Sequence, residues 1–210
     1  VTNAWYAVGV GAAWGPPQPD PCNTTVSSYP YSEGFENTLG AWSHSSSDDF
    51  NWVTRSGGTP SNGTGPSGAS AGSYYVYMET SSPNYPSKDA ILISPCFNLT
   101  SVTDPEISFD YHMSGTAVGT LRLEASTDGL NYATIWSQSG NHGTAWLSAT
   151  VSLAAYTSES ELRLRFHGTS GNGWSGDMCV DNLTVDGSSA PPPPTGCSNP
   201  ISSFPYSEGF

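Results

Sequence analysis

Outward-facing arginine and histidine side chains are the first candidates for chemistry in this sequence. Apolar and polar residues alternate in three segments, which predicts strands with apolar side chains pointing inward and polar ones pointing outward. The outward positions hold Arg122, Arg163, Arg165, His112 and His167. Arginine pairs well with carboxylate or sulfate, so one interpretation is a shallow binding face for a sugar or an anionic group. The alternative is a solvated sheet face whose charges cancel across strands, and the strand register decides between the two.

Two tryptophans are further candidates for a sugar-binding surface. Trp174 lies in a Gly-rich polar loop at residues 170–177, and Trp146 follows a short polar stretch at residues 141–145. An indole in such a loop is poorly placed for the core and can stack on a ligand ring. Trp146 also begins a predicted strand, so a structural cap on the fold is the alternative for that residue.

Signatures of catalysis are absent from the sequence. It contains no HExxH metalloprotease motif, no GxSxG nucleophile motif and no phosphate-binding loop. The four histidines lack the spacing of a metal site, and there is no CxxC pair to suggest zinc. We therefore expect a module without enzymatic activity.

Short strands must position these side chains. Alternation with a period of two recurs along the chain, and no stretch keeps helical spacing over three turns. The predicted strands are residues 73–79, 90–94, 106–113, 120–125, 132–137, 146–153, 161–167 and 178–185. Strands of this number and length, with Gly-rich turns, predict an all-β fold, a jelly-roll β-sandwich of two antiparallel sheets.

Composition indicates where such a module works. The 210 residues include 18 acidic and 5 basic ones, a formal net charge of −13 at pH 7. This charge argues against nucleic acid and anionic lipid as partners, and no apolar run reaches the roughly 20 residues of a membrane helix. Four cysteines in a Lys-poor, Ser-rich chain are typical of disulfides in an oxidising compartment. We expect an extracellular module, secreted or on the cell surface, without direct membrane insertion.

A duplicated segment predicts that this sequence is part of a longer repeat protein. Residues 22–35 recur as residues 197–210, with nine of fourteen positions identical, which indicates tandem modules and neighbouring repeats as partners. Pro-rich stretches between the copies act as semi-rigid spacers. The predicted order is a possible last strand of a preceding domain at 1–14, a Pro-rich linker at 15–28, the module at 29–187, a second linker at 188–203 and the start of the next repeat at 204–210.

A series of motifs runs in order across the module: the opening Phe35-Glu36 and Gly40-Ala-Trp42, the strands at 72–77 and 90–95, and the closing Asp177-Met-Cys-Val-Asp-Asn-Leu-Thr-Val185. Their order resembles that of MAM domains, which occur in meprins, neuropilins and receptor tyrosine phosphatases. Segments 31–36 and 94–97 are similar to bacterial members in large secreted or surface proteins. The resemblance implies a jelly roll that binds a glycan or a surface protein in adhesion. Alternatives are an accessory carbohydrate-binding module of a secreted polysaccharide-degrading enzyme and a structural spacer.

The resemblance also implies a structural Ca²⁺ ion. MAM-like modules and related carbohydrate-binding jelly rolls often hold a cation where the first and last strands lie side by side. That edge would bring together Glu36, Asp49 and Asp181, whose carboxylates are ligands that calcium prefers. The alternative is that Asp49 caps a turn while the other two carboxylates accept hydrogen bonds from the backbone.

For the cysteines, the resemblance implies a Cys96–Cys179 disulfide, because the strands that carry them are neighbours in similar folds. The Cys that animal members place soon after the opening Phe-Glu is absent, since Leu39-Gly40 stands there. A Cys22–Cys96 disulfide is the alternative, and the partners of Cys22 and Cys197 stay open.

Overall fold

The computed structural model describes residues 19–20 and 22–189. Within these ranges the chain forms strands and one 3-10 helix at Ala154–Tyr156. The strands are β1 Thr25–Val26, β2 Tyr31–Glu33, β3 Ser43–His44, β4 Val53–Arg55, β5 Tyr75–Met78, β6 Asp89–Phe97, β7 Val102–Met113, β8 Thr120–Ser126, β9 Ala133–Ser139, β10 Leu147–Ser152, β11 Leu162–Thr169 and β12 Met178–Ser189. The predicted strand at 1–14, residues 15–18 of the first linker and residues 190–210 lie outside the described residues.

Two sheets pack face to face, as the alternation predicts. Sheet A has the order β1-β6-β11-β8-β9, with β3 also paired to β6, and sheet B has the order β10-β7-β12-β5-β4, with β2 also paired to β12. Neighbouring strands run antiparallel, except that β1 runs parallel to β6. The all-β, jelly-roll-like sandwich is confirmed. The predicted strands correspond to β5 to β12, while β1 to β4 are too short for alternation to reveal them.

Inward-facing side chains fill the space between the sheets. On β11, Leu162, Leu164 and Phe166 are fully buried. The Phe166 ring contacts Phe109 of sheet B edge-to-face, with centroids 4.9 Å apart, and stacks on Trp42 at 5.6 Å. Full burial of one such side chain contributes about 1.5–3 kcal/mol. This packing holds β11 in place, so the outward residues between these positions are presented from a rigid strand.

The two outer faces of the sandwich differ, because residues 56–72 cover the outer face of sheet B. The N–H of Ser70 donates to Asp181 Oδ2 at 2.7 Å, and Trp146 Nε1 donates to the Gly68 carbonyl at 2.9 Å. The side chains beneath this cover are at most 5% exposed: Tyr75, Tyr77, His112, Cys179 and Asp181. The outer face of sheet A instead keeps partly exposed polar residues, so it is the face available to a ligand.

Candidate functional site

Strand register brings charged side chains together on the outer face of sheet A. Arg165 of β11 lies opposite Glu124 of β8, and His167 lies opposite Arg122. Arg165 Nε donates to Glu124 Oε2 at 2.7 Å, and His167 Nδ1 is 3.4 Å from the same oxygen. On its other side, His167 Nε2 is 3.0 Å from Asp89 Oδ1. Three of the basic candidates, Arg122, Arg165 and His167, therefore meet, and their charges are partly balanced by carboxylates.

This network sets the charge states of its members. Burial by itself would raise the pKa of Glu124, but hydrogen bonds from His167 and Arg165 outweigh it and lower the pKa to about 2. The hydrogen bond to Glu124 raises the pKa of His167 despite burial, and Asp89 adds to the increase. Glu124 is thus an anion at neutral pH, and it holds Arg165 and His167 in defined positions.

A shallow cavity of about 310 Å³ opens beside the network. The Arg165 guanidinium lies over the Tyr132 ring, 3.8 Å from its centroid, and Leu130 next to it exposes 45% of its surface. The cavity is lined by Asp20, Ser46, Ser47, Gly129, Leu130, Tyr132 and Arg165. Its volume is at the low end for small-molecule sites, and its lining combines hydroxyls, charges and apolar surface.

Asp20 reaches the cavity because the incoming chain is tied to the turn between β8 and β9. Its N–H donates to the Gly129 carbonyl at 3.0 Å, and its Oδ2 accepts from the Tyr132 hydroxyl at 2.9 Å. Gly129 has φ +69°, and a Cβ there would lie 3.0 Å from the Asp20 carbonyl oxygen, so glycine suits both the turn and the contact. Sequence reasoning missed Asp20 and Tyr132, although an Asp-Gly pair such as Asp128-Gly129 is a hairpin signal that could have located the turn leading to Tyr132.

Arg163 was predicted to bind a ligand, but in the structure its role is to hold the chain together. It is 7% exposed, and its Nε donates to the Asp20 carbonyl at 2.9 Å. Its Nη2 is 3.8 Å from Glu161 Oε2. Arg163 therefore anchors the incoming chain below the cavity, and Arg165 is the arginine that lines it.

The disulfide joins Cys22 to Cys96, so the predicted Cys96–Cys179 pairing is wrong. Cys96 lies on β6 of sheet A, next to Thr25 of β1, whereas Cys179 lies on β12 of sheet B. Because the two strands belong to different sheets, their outward side chains point away from each other. Cys179 is a buried free thiol, and burial raises its pKa well above the ordinary value. Cys197 lies outside the described residues.

His112 and Trp146 lie on the opposite side of the sandwich from the cavity. His112 points outward, as the alternation predicts, but it is fully buried under the cover of sheet B. Its ring centroid is 5.5 Å from that of Trp146, which also packs edge-to-face on Tyr75. Burial lowers the pKa of His112, opposed by the backbone of Thr144. Trp146 therefore caps the fold, which was the structural alternative to ligand binding for this residue.

Trp174 is the exposed aromatic side chain among the predicted binding residues, with 50% of its surface accessible. Its loop follows β11, beyond the end of the strand that is remote from the cavity. The Thr80 hydroxyl donates to the Trp174 carbonyl at 3.0 Å, which fixes the loop while leaving the indole outside. Trp174 therefore forms a second, separate candidate contact.

The three carboxylates predicted to bind calcium do not form one site. Glu36 Oε1 accepts from the Ser73 N–H at 2.9 Å, and Asp181 Oδ2 accepts from the N–H groups of Ser70 and Ala71, so these two carboxylates hold one segment. Asp49 lies beside sheet A and pairs with Lys88 at 2.8 Å. Within residues 19–20 and 22–189, no group of three or more His, Cys, Asp or Glu side chains is placed to hold a metal ion. As a set, the three residues do not fit a calcium site.

Comparison with known sequences identifies relatives of this module. The profile described as MAM domain, meprin/A5/mu, matches residues 34–191. MAM domain-containing glycosylphosphatidylinositol anchor protein 2 of Mus musculus is 33% identical over 172 residues, which cover 72% of this chain and 18% of that protein. Neuropilin-1 of Xenopus laevis is 29% identical over 155 residues, covering 72% of this chain and 16% of that protein. This chain thus spans less than a fifth of the length of these curated relatives.

Solved structures share the fold at low sequence identity. The K1 cleaved adhesin domain of Lys-gingipain from Porphyromonas gingivalis W83 has a TM-score of 0.55 at 17% identity, and the alignment covers 77% of this chain and 99% of that chain. Caldicellulosiruptor saccharolyticus CBM27-1 in complex with mannohexaose has a TM-score of 0.54 at 14% identity, over 78% of this chain and 100% of that chain. The described part of the chain has no helix of the length and apolarity needed to cross a bilayer. By the profile match and the identity to its relatives, the chain belongs to the MAM domain family, and it is an extracellular module.

Proposed function

We propose that this module is a non-catalytic adhesion or ligand-binding unit whose open face on sheet A recognises a glycan. The observation that carries the proposal is the cavity beside Arg165, where the outer face of sheet A keeps partly exposed polar side chains. Sheet B cannot serve in the same way without displacing residues 56–72, which are held by hydrogen bonds to Asp181 and from Trp146.

The lining of the cavity suits a sugar ring. Arg165 and the hydroxyls of Ser46 and Ser47 supply hydrogen-bond donors, while Asp20 supplies acceptors. The exposed part of Leu130 and the Tyr132 ring offer apolar surface to the C–H side of a pyranose. Both kinds of surface converge within one small concavity, which is the arrangement that fixes the orientation of a ligand.

The charge states of the network support binding rather than catalysis. Glu124 is the carboxylate that pairs with Arg165 beside the cavity, and the same oxygen of Glu124 also lies 3.4 Å from His167 Nδ1. Its pKa of about 2 makes it a poor general acid at neutral pH. The network therefore fixes the position of Arg165, which presents the guanidinium to a ligand.

Filling the cavity tests the proposal. In affinity electrophoresis against soluble mannan, xylan, galactan and a polyuronate, we expect the chain to be retarded by at least one polysaccharide. Ser46→Trp fills the cavity from an exposed position and is expected to weaken that retention at least about tenfold. Ser158→Trp, an equally exposed serine away from the cavity, is the matched control and should bind as the unmodified chain does.

The alternatives make different predictions in the same experiment. Retention that survives Ser46→Trp but is lost in Trp174→Ala would move the binding site to the loop after β11, as expected of an accessory carbohydrate-binding module that uses an exposed indole. Absence of retention by every polysaccharide would reject a glycan ligand. A surface protein as the ligand, or a spacer role, would then be the better description.

A further inference from the structure

Carboxylates outweigh arginines in the wall of the cavity beside Arg165. Asp20 and Arg165 are the charged residues of its lining, and the Arg165 charge is balanced by Glu124, whose Oε2 accepts from Arg165 Nε at 2.7 Å. Asp20 Oδ2 instead accepts from the Tyr132 hydroxyl at 2.9 Å. Within residues 19–20 and 22–189, no cationic side chain forms a salt bridge with Asp20. The Asp20 carboxylate therefore gives the cavity a net negative charge.

Residues next to the lining add to this negative charge. Asp128 lies in the turn between β8 and β9, where its Oδ1 accepts from the N–H groups of Asn131 at 2.7 Å and Leu130 at 2.8 Å. These hydrogen bonds, that from Asn131 foremost, hold the pKa of Asp128 well below its usual range, so this side chain is an anion. Arg163 adds a positive charge below the cavity, but Glu161 Oε2 lies 3.8 Å from its Nη2. Four carboxylates thus surround two arginines, which leaves this region with a net charge of −2.

Asp20 is fixed in a position from which it can accept hydrogen bonds from a ligand. Its backbone is held on both sides, because its N–H donates to the Gly129 carbonyl at 3.0 Å and Arg163 Nε donates to its carbonyl at 2.9 Å. Its half-buried side chain has acceptor sites beyond the one that the Tyr132 hydroxyl uses, since a carboxylate offers about four. Hydroxyl groups of a sugar can donate to such a carboxylate while they accept from Arg165.

We propose that the cavity selects a neutral sugar and excludes sugars that carry carboxylate or sulfate groups, and that Asp20 sets this specificity. The specificity rests on the proposed glycan binding, for which it defines the class of ligand. A hydroxyl group gains a charge-assisted hydrogen bond from Asp20, whereas an anionic group in the same place meets a like charge. The net charge of −13 opposes polyanions at longer range. Pairing of Arg165 with Glu124 removes the excess positive charge with which the outward arginines alone would attract an anion.

Retention on columns of immobilised mannan, xylan, galactan and polygalacturonate tests the specificity. Each column is run at about 0.1 M and at about 0.5 M NaCl, because the higher concentration screens charge repulsion beyond direct contact. We expect the chain to be retained by at least one neutral polysaccharide at both salt concentrations and by polygalacturonate at neither. Asp20→Asn is expected to weaken neutral retention at least about fivefold, because a charge-assisted acceptor is lost. Asp20→Lys is expected to abolish neutral retention and to give retention by polygalacturonate at about 0.1 M NaCl.

Substitutions at Glu106 separate the effect of Asp20 from that of overall charge. Glu106→Gln and Glu106→Lys make the same changes in net charge at an exposed position on sheet B, so they are the matched controls and should behave as the unmodified chain does. If Glu106→Lys gains as much polygalacturonate retention as Asp20→Lys, net charge makes the selection and the proposal is overturned. It is also overturned if Asp20→Asn leaves neutral retention unchanged. Unchanged unfolding midpoints show that the Asp20 variants fold, as the two backbone anchors of this residue lead us to expect.

Failure of the specificity can be told apart from failure of glycan binding. If the unmodified chain is retained by polygalacturonate at about 0.5 M NaCl and Ser46→Trp abolishes that retention, the cavity is still a glycan site but its specificity for neutral sugars is wrong. Absence of retention on every column rejects glycan binding itself, and the specificity with it.

Discussion

Glu124 organises the open face of sheet A at the level of single residues. Its side chain is 9% exposed, and its Oε2 accepts a hydrogen bond from Arg165 Nε at 2.7 Å. His167 lies between Glu124 and Asp89, at 3.4 Å and 3.0 Å. Such a buried carboxylate is costly unless it is paired, so the positions of Arg165 and His167 depend on it.

The stability contributed by this network is expected to depend on pH in two directions. The Glu124 contribution is present above its unfolded pKa and is lost as the pH falls from about 4.5 toward 2, because folding lowers that pKa to about 2. The His167 contribution is full below about pH 6.5 and is lost as the pH rises through the folded pKa, because folding raises that pKa. Urea unfolding should therefore show a larger difference between the unmodified chain and His167→Gln near about pH 5.5 than near about pH 8.5.

The exposed His44 provides the control for that pH dependence. His44→Gln is the same substitution at an exposed position on β3, and it keeps the contacts of His167 with Glu124 and Asp89. A His167→Gln difference that grows as the pH rises would contradict the assigned sign.

A calcium effect on stability remains a prediction for the segment held by Glu36 and Asp181. Both carboxylates accept backbone hydrogen bonds from this segment, so a cation bound by either carboxylate would also change how firmly the segment is held. If calcium binds there, EDTA lowers the unfolding midpoint, CaCl₂ restores it, and Glu36→Gln abolishes the response. Asp49→Asn, which lies beside the other sheet, should keep the response. An unmodified chain with the same midpoint in EDTA and CaCl₂ rejects the prediction.

At the level of elements, a short strand depends on covalent and polar anchors. Strand β1 has two residues and pairs with β6 where Cys22 is bonded to Cys96. The same incoming segment is held by Arg163 and by the Gly129 carbonyl. The segment therefore keeps its place without an intrinsic preference for strand structure, and it positions Asp20 in the cavity wall.

Removing the disulfide is expected to destabilise the module substantially. The bond closes a loop with a sequence separation of 74 residues, and the chain-entropy relation gives about 4 kcal/mol for a loop of this size. Urea unfolding of the Cys22→Ser, Cys96→Ser double variant measures this cost. Cys179→Ala removes the buried free thiol and keeps the disulfide, so its cost should be nearer about 1 kcal/mol. Equal losses in the two variants would show that the disulfide is not the main constraint.

For the whole molecule, the net charge of −13 opposes compactness, since five basic residues face 18 acidic ones. Several of the basic residues are already used in local pairs, as Lys88 is with Asp49 and Arg165 is with Glu124. The remaining acidic surface repels itself, and the two sheets are held together mainly by the apolar layer between them.

Screening of this repulsion should raise the stability of the fold. We expect the thermal unfolding midpoint to increase by a few degrees between low salt and about 0.5 M NaCl, because about 1 kcal/mol corresponds to roughly 2–4 °C for a domain of this size. Sucrose at matched osmolality controls for effects that do not involve charge. A midpoint that is unchanged or lower in NaCl would show that local ion pairs matter more than the overall repulsion.

The strands and the family could be recognised from the sequence because both depend on the order of residue types along short segments. Alternation located β5 to β12, and it correctly assigned outward directions to Arg165, His167 and even the covered His112. Each side-chain direction follows from the neighbours in sequence, whatever the strand later packs against. The same reasoning predicted that Leu162 and Leu164 point inward and that the arginine after each of them points outward.

Contacts between segments that are distant in the sequence could not be predicted from alternation. Whether Cys96 meets Cys22 or Cys179, whether Glu36 and Asp49 share an edge, and whether His112 is reachable all depend on strand order, register and the path of residues 56–72. These are set by which long-range pairings bury the most apolar surface and satisfy the most backbone groups at once. Local alternation is the same for every possible strand pairing, so it carries no information about which pairing forms. The cavity beside Arg165 exists because of the pairing that does form.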